Sequence, residues 1–244
     1  MQTIAIPKHL LFDGAIPHEA QELAGQLAKM EPEKSGLSDW QRARLGKITA
    51  SHFGDVKYLK SGAWGETALT YLYDLIGEHL TGQPSESFTG SKATEWGNQY
   101  EEEALMAYKQ RTGRKTKLGH FLQDPKNPLV GGTPDAFCGE QGVLEIKCPF
   151  NFKNHLRTVI TKKVPDDYKS QVLGHLMLSG REWCDFVSYD PRIKSQHRLV
   201  IVRVKAKEVQ VEMDELAQRI IDFHKLLLKQ LEVLKIKSIH PIKF

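Results

Sequence analysis

From residue 38 onward the chain switches repeatedly between helical and strand periodicity. Ser38 followed three residues later by Gln41 forms a capping box, opening a short helix that carries Trp40 and Arg44 and ends at Gly46. Thr49 or Ser51 starts a further helix running toward Tyr58, Lys60 to Gly65 reads as a flexible stretch, Thr67 to Leu80 is amphipathic, and Gly82 to Gly90 is a loop. Ala93 to Arg111, closed by Gly113, is the strongest helical pattern: Trp96, Tyr100, Ala104 and Ala107/Tyr108 make its inward stripe. Glu101 shares a side with Gly97, Leu105 and Tyr108, while Glu102 and Glu103 turn toward solvent. Alternating and β-branched runs predict strands over 117–123, 135–138, 143–149, 184–189 and 198–205. Pro165 opens a helix that reaches about Leu178. A long last helix over about 207–235 puts Val211, Leu216, Ile220, Phe223, Leu227 and Leu231 on one apolar stripe. This order predicts an α/β protein of the α+β kind, with a central mixed β-sheet flanked by helices.

Before residue 37, Ala20, Leu23, Ala24 and Leu27 fall at helical spacing between Pro17 and Met30, and Glu-Pro-Glu-Lys-Ser-Gly36 breaks the pattern. Residues 1–36 therefore read as an N-terminal helical extension and 37–244 as a single domain. A chain of 244 residues with 40% apolar content is long enough to bury a sizeable core. The formal charge of +4 is too small to establish nucleic-acid binding by itself. Lysine and arginine concentrate at 109–117, 153–169 and 192–207, either as solvated faces or as a track for an anionic strand. The three cysteines, Cys138, Cys148 and Cys184, contain no Cys-x-x-Cys pair and cannot supply a four-cysteine iron–sulfur cluster. They read as reduced core residues. With no apolar run of membrane-spanning length and no secretory pattern at its start, the chain is expected in the cytoplasm, with no membrane partner.

The chemistry concentrates in residues 131–147. A Gly-Gly-Thr-Pro turn ends in Asp135; ten residues later comes Glu145, then one residue, then Lys147. In a strand, alternate residues share a face, so Glu145 and Lys147 point one way while Leu144, Ile146 and Cys148 point into a core. Two carboxylates and an ammonium converging on one point can hold a hard divalent cation and a water beside a phosphate. This segment resembles the Asp…Glu-x-Lys signature of the restriction-endonuclease-like nuclease superfamily. Three other positions carry candidate chemistry, each with a plainer alternative. Arg44 and Ser51 suit a bidentate grip on an anion, or are an exposed arginine and a capping serine. Glu101, on a semi-buried flank, would serve a metal or a bound water, or is a helix-surface acid. Gln171 could reach a scissile phosphate or the attacking water, and His175 on the same face reads as a satisfied core histidine. Ser188-Tyr-Asp-Pro-Arg192 reads as a turn without assigned chemistry.

Taken together, Trp40-x-x-x-Arg44-x-Gly-x-Ile-Thr-Ala-Ser51, Trp96-Gly-x-Gln-Tyr-Glu101, the Pro-Asp135 turn, Leu-Glu145-Ile-Lys147-Cys-Pro-Phe150, the Gln171 helix and Tyr-Asp-Pro-Arg192 resemble the lambda-exonuclease-like (YqaJ-type viral recombinase) alkaline exonuclease family of phages, in order and approximate spacing over about residues 38–205. The resemblance implies a restriction-endonuclease-like core and a metal-dependent 5′→3′ exonuclease on double-stranded DNA ends. It implies a ring-shaped homotrimer, a single-strand annealing protein as partner, and phage or prophage origin in a bacterial host. By motif, Asp135, Glu145, the Ile146 backbone carbonyl and Glu101 match the metal site, for one or two Mg²⁺ with Mn²⁺ as the alternative. Lys147 and Gln171 match the other catalytic residues, and Arg44 and Ser51 the 5′-phosphate pocket. Two features depart from the pattern: residues 1–36 have no counterpart, and the stretch 90–94 is polar for a strand-separating wedge. Two other readings stay open, an endonuclease of the same fold and a non-catalytic DNA-end-binding recombination protein.

Overall fold

The structure, a computed structural model, describes residues 37–85 and 92–234. The expected N-terminal extension, most of the 82–90 loop and the first two residues of the polar stretch before Trp96 lie outside the described residues.

Ser38 caps α1 (Asp39–Arg44) with the expected reciprocal bonds to Gln41. The core of the molecule is a five-stranded mixed sheet in the order β2 (Thr116–Leu118), β5 (Ala136–Cys138), β6 (Gly142–Lys147), β7 (Trp183–Tyr189), β8 (Leu199–Lys205). All pairs are antiparallel except β6 and β7, which run parallel with Glu145 opposite Phe186 and Lys147 opposite Ser188. On one face, Val143 and Phe186 pack with α2 (Glu66–Thr81), α5 (Asp166–Ser179) and α6 (Gln210–Val233). On the other, Leu144, Ile146, Cys148 and Val187 pack with Ala104 and Tyr108 of α3 (Lys92–Thr112). The sheet is thus mixed and flanked by helices, and the alternation along β6 puts its side chains where the sequence does. Both faces are core, so Glu145 is a buried carboxylate, only 1% exposed.

Several elements differ from expectation. The strand predicted over 117–123 is two strands in two sheets: β2 pairs with β5, whereas β3 (Leu122–Gln123) pairs with β4 (Val130–Gly132). The chain changes sheet where Gly119 passes so close to the Pro134 carbonyl that a Cβ would lie 1.6 Å from its oxygen. β4 and its parallel partner β1 (Ile48–Thr49) complete a second, three-stranded sheet. The helix expected to run toward Tyr58 is a single 3₁₀ turn, Ala50–His52. The chain bends there to bury Phe53 against Gly174 of α5, where a Cβ would meet the ring at 2.6 Å. A helix unforeseen in the sequence, α4 (Phe152–Thr161), follows β6 with Asn151 as its N-cap. In α6 Val211 is exposed, and Met213 is buried in its place. Glu103 is exposed, as expected, and from there accepts from the Tyr189 hydroxyl and pairs with Arg198 at 3.0 Å. All three cysteines are free and buried, as expected. No helix among the described residues is long and apolar enough to cross a membrane.

The helical side of the core holds two buried imidazoles, His79 and His224. Burial lowers the pKa of each to about 4. In the unfolded chain both return to about 6.5. Below pH 6.5 the unfolded chain therefore binds more protons, and stability is complete above that pH and lost as the pH falls through 4. Each group accounts for about 3 kcal/mol over that window. Denaturant midpoints followed from pH 7 to 4 should fall steeply, and His224→Leu should remove its share of the slope. An unchanged slope in that variant would refute the assignment.

Candidate active site

Asp135 lies where the chain enters β5, and its carboxylate accepts from the Ile146 N–H on β6 while its own N–H donates to the Leu144 carbonyl at 3.0 Å. Those bonds tie the Pro-Asp turn to the strand that carries Glu145 and Lys147. The Glu145 carboxylate is held from two sides: Lys147 Nζ lies 2.6 Å from Oε1 and His175 Nε2 lies 2.8 Å from Oε2. Lys147 also sits 5.3 Å over the ring of Tyr168, which stacks on Phe186. Along α5, Gln171 falls between Tyr168, which faces Lys147, and His175, which bonds Glu145; the helical spacing places it half-buried on that same side. Glu101 lines the open side, in a cavity of about 460 Å³ shared with Gly97, Lys147, Phe150, Asn154 and Tyr168.

The electrostatics of this group are unbalanced. Burial pushes the Asp135 carboxyl well up, and repulsion from Glu145 adds to it, with Lys147 opposing. Burial acts on Glu145 in the same direction, but Lys147 and His175 outweigh it and hold its pKa at about 2. Glu101 is raised by burial and then by Glu145. Burial disfavours the Lys147 charge, yet Glu145 and Asp135 together hold its pKa above the ordinary lysine value. Three carboxyls therefore share one ammonium. The surplus negative charge and hard oxygen donors fit a divalent cation of the Mg²⁺ type. Among the described residues no three His, Cys, Asp or Glu side chains form an ion cage by themselves. A cation here would fill its shell with backbone, water or phosphate oxygens, as Mg²⁺ usually does.

Arg44 and Ser51 do come together: Arg44 Nη2 donates to Ser51 Oγ at 2.7 Å and to Thr49 Oγ1 at 3.2 Å. The guanidinium lies 4.5 Å over Trp40. It is buried, its Nε has no partner, and no carboxylate among the described residues lies within ion-pair distance. Burial lowers its pKa, opposed by Tyr71, Glu145 and Glu78, so the arginine and the acidic site sense each other's charge. A buried cation without a counter-ion is costly, and an anion placed beside it would offset that cost. The space enclosed behind Arg44 is about 20 Å³, enough for one water, so an anion would sit on the open side beside exposed Ser51. The helix N-terminus expected at Ser51 is absent, since the 3₁₀ turn is too short to carry a dipole of consequence.

Trp40 and Thr49, which stand in the Arg44–Ser51 motif without a role of their own in it, join that site, and Tyr168, one turn before Gln171, joins the acidic one. His175 is fully buried, as a core histidine should be, and also touches the buried acid. A polar residue on an otherwise apolar helix face, one turn after Gln171, was the available signal.

The profile of the YqaJ-like viral recombinase domain matches residues 39–182. An alkaline exonuclease from Laribacter hongkongensis is similar over 82% of this chain and 96% of its own, with 30% identity and a TM-score of 0.72. The same enzyme in complex with dAMP gives 28% identity over 82% of this chain and 99% of its own, with a TM-score of 0.69. A phage-related exonuclease from Haemophilus somnus 129PT shares the fold at 18% identity over 76% of this chain and 96% of its own, with a TM-score of 0.57. No curated protein matches the chain significantly.

Proposed function

This chain belongs to the YqaJ-like viral recombinase family, and from that premise we propose that it is a Mg²⁺-dependent 5′→3′ exonuclease acting on linear double-stranded DNA. The observation that carries this reading is the convergence of Asp135, Glu145 and Lys147 near a buried arginine that has no counter-ion among the described residues. The first group suits phosphodiester hydrolysis, and the second suits a terminal phosphate. Asp135, Glu145 and the Ile146 carbonyl would hold the cation, Mg²⁺ or alternatively Mn²⁺, with Glu101 nearer a second. When bound, the cation acidifies water and offsets charge on the phosphate.

The remaining steps fall to the chain's own groups. Glu145 and Asp135 are the charges that keep Lys147 an ammonium; with a cation offsetting them its pKa would fall, and its neutral amine then orients the attacking water and takes up its proton, while Gln171 steadies that water or the scissile phosphate. Attack in line expels the 3′ oxygen and frees a 5′ mononucleotide. Arg44 and Ser51 then hold the newly exposed 5′ phosphate, favouring another cycle over release. The product strand, a 3′ single-stranded tail, suits an annealing protein. A homotrimer ring around the duplex, in the cytoplasm of a phage host, completes the proposal.

The test compares 5′-phosphate, 5′-hydroxyl and closed circular duplex. Arg44→Ala should slow degradation of phosphorylated ends about 10- to 100-fold, since a charge-assisted contact contributes about 1.5–3 kcal/mol. Arg44→Lys, which keeps the charge and loses the fork, should recover part of the rate. Hydroxyl ends should be poor substrates and change little, and circles should resist. Equal rates on both ends, or cutting of the circle, would replace this reading with an endonuclease.

A further inference from the structure

The turn Tyr189-Asp190-Pro191-Arg192 has a structural role at the mouth of the catalytic cavity. Asp190 is fully buried and grips Arg192 through two bonds, Nε to Oδ1 at 2.8 Å and Nη2 to Oδ2 at 2.7 Å. The same Nη2 donates to the Phe150 carbonyl at 3.0 Å and reaches the Pro149 carbonyl at 3.4 Å. The guanidinium also lies 4.7 Å over Trp96, whose ring meets Phe150 edge-on at 5.8 Å. Phe150 is thereby held by its backbone and by a near-perpendicular contact with the Trp96 ring, yet it stays 49% exposed. It stands three residues beyond Lys147 and lines the same cavity.

A half-exposed aromatic ring held in place beside a phosphate-handling centre can serve as a stacking surface. Every nucleobase has a π-face that such a ring can cover without reading sequence. We propose that Phe150 is a stacking platform for an unpaired nucleobase next to the scissile phosphate, and that Arg192, clamped by Asp190, is the positioning residue that holds it. This inference rests on the exonuclease reading and adds a base subsite to it. A base captured on Phe150 is a base removed from its pair, so the platform would help keep the duplex end open.

The test is a binding cycle with the full-length protein on 5′-phosphorylated duplex, with Ca²⁺ replacing Mg²⁺ and gels confirming intact DNA. One nucleotide at a time among the first three of the 5′ strand is replaced by an abasic spacer. Phe150→Ala should weaken binding of normal DNA roughly 5- to 150-fold, the equivalent of about 1–3 kcal/mol per stacked base. At one spacer position the wild type should lose a similar factor, and Phe150→Ala should lose little more. Phe150→Trp should retain binding, and Arg192→Lys should show a smaller loss confined to that same position. Phe150→Ala binding normal DNA as tightly as wild type, or losing the same factor with a spacer at every position, overturns the inference alone. A wild type that neither binds nor degrades linear duplex overturns the exonuclease reading instead.

Discussion

Glu145→Gln should abolish hydrolysis, with the single-turnover rate on phosphorylated duplex falling by about 10³-fold or more, while DNA ends are still bound. The expectation rests on where Glu145 stands: fully buried, two residues before Lys147, and beside an Asp135 that burial, and then the Glu145 charge, push toward protonation. Converting one of two close carboxylates to an amide removes the negative charge that draws in a cation, and such a centre supplies several kcal/mol of transition-state stabilisation. Gln is the informative substitution because Ala would strip fully buried His175 of its Nε2 partner and half-buried Lys147 of its ion pair, a cost to folding as well as to chemistry. An amide oxygen still accepts from Lys147, and its NH₂ can donate to His175 in the other tautomer. Asp135→Asn should have a comparable effect, since the amide oxygen still accepts from the Ile146 N–H. Thermal melts within a few degrees of wild type, together with lost turnover, would separate chemistry from folding. Near-normal nucleotide release by both folded variants would remove these carboxylates from the mechanism.

The parts of this site legible in the sequence are those whose side chains obey the local period. The alternation along β6 puts Glu145 and Lys147 on one face because strand geometry leaves no choice. The Ser38–Gln41 box is equally local. α4 escaped notice because its amphipathicity is inverted. Phe152, Leu156 and Ile160 are exposed, whereas the buried residues are His155 and Thr158. His155 is satisfied by Ser188 Oγ at 2.9 Å and the His197 carbonyl at 2.8 Å, both more than thirty residues away. A periodicity count assigns such polar positions to solvent. β4 escaped for a different reason. Its Gly131 and Gly132 contribute no apolar side chain, and they are glycines because Phe121 and Ala50 press against their backbone. Contacts of that kind are set by tertiary packing, and so is the bond between His175 and Glu145 across thirty residues.

Lys147→Ala should lower the single-turnover rate about 10²- to 10⁴-fold, the range for losing a positioned proton-transfer group, without weakening the site's grip on Mg²⁺. An ammonium is not a ligand for a hard cation. Its Nζ sits 2.6 Å from Glu145 Oε1, so it competes with a metal for that oxygen. Removing it leaves the carboxylate free, and calorimetric affinity at neutral pH should stay level or tighten. The pH dependence has a definite sign. Burial favours the protonated form of Glu145, and Lys147 is the largest influence holding its pKa down to about 2. Without Lys147 that pKa rises, protons compete with the cation at a higher pH, and the variant's metal affinity should fade on acidification before the wild type's does. The decisive comparison is calorimetry and single-turnover kinetics on the same preparation from pH 8 to 5. A collapse of metal affinity at neutral pH, with the rate at saturating metal retained, would make Lys147 a strut for Glu145 with no part in proton transfer.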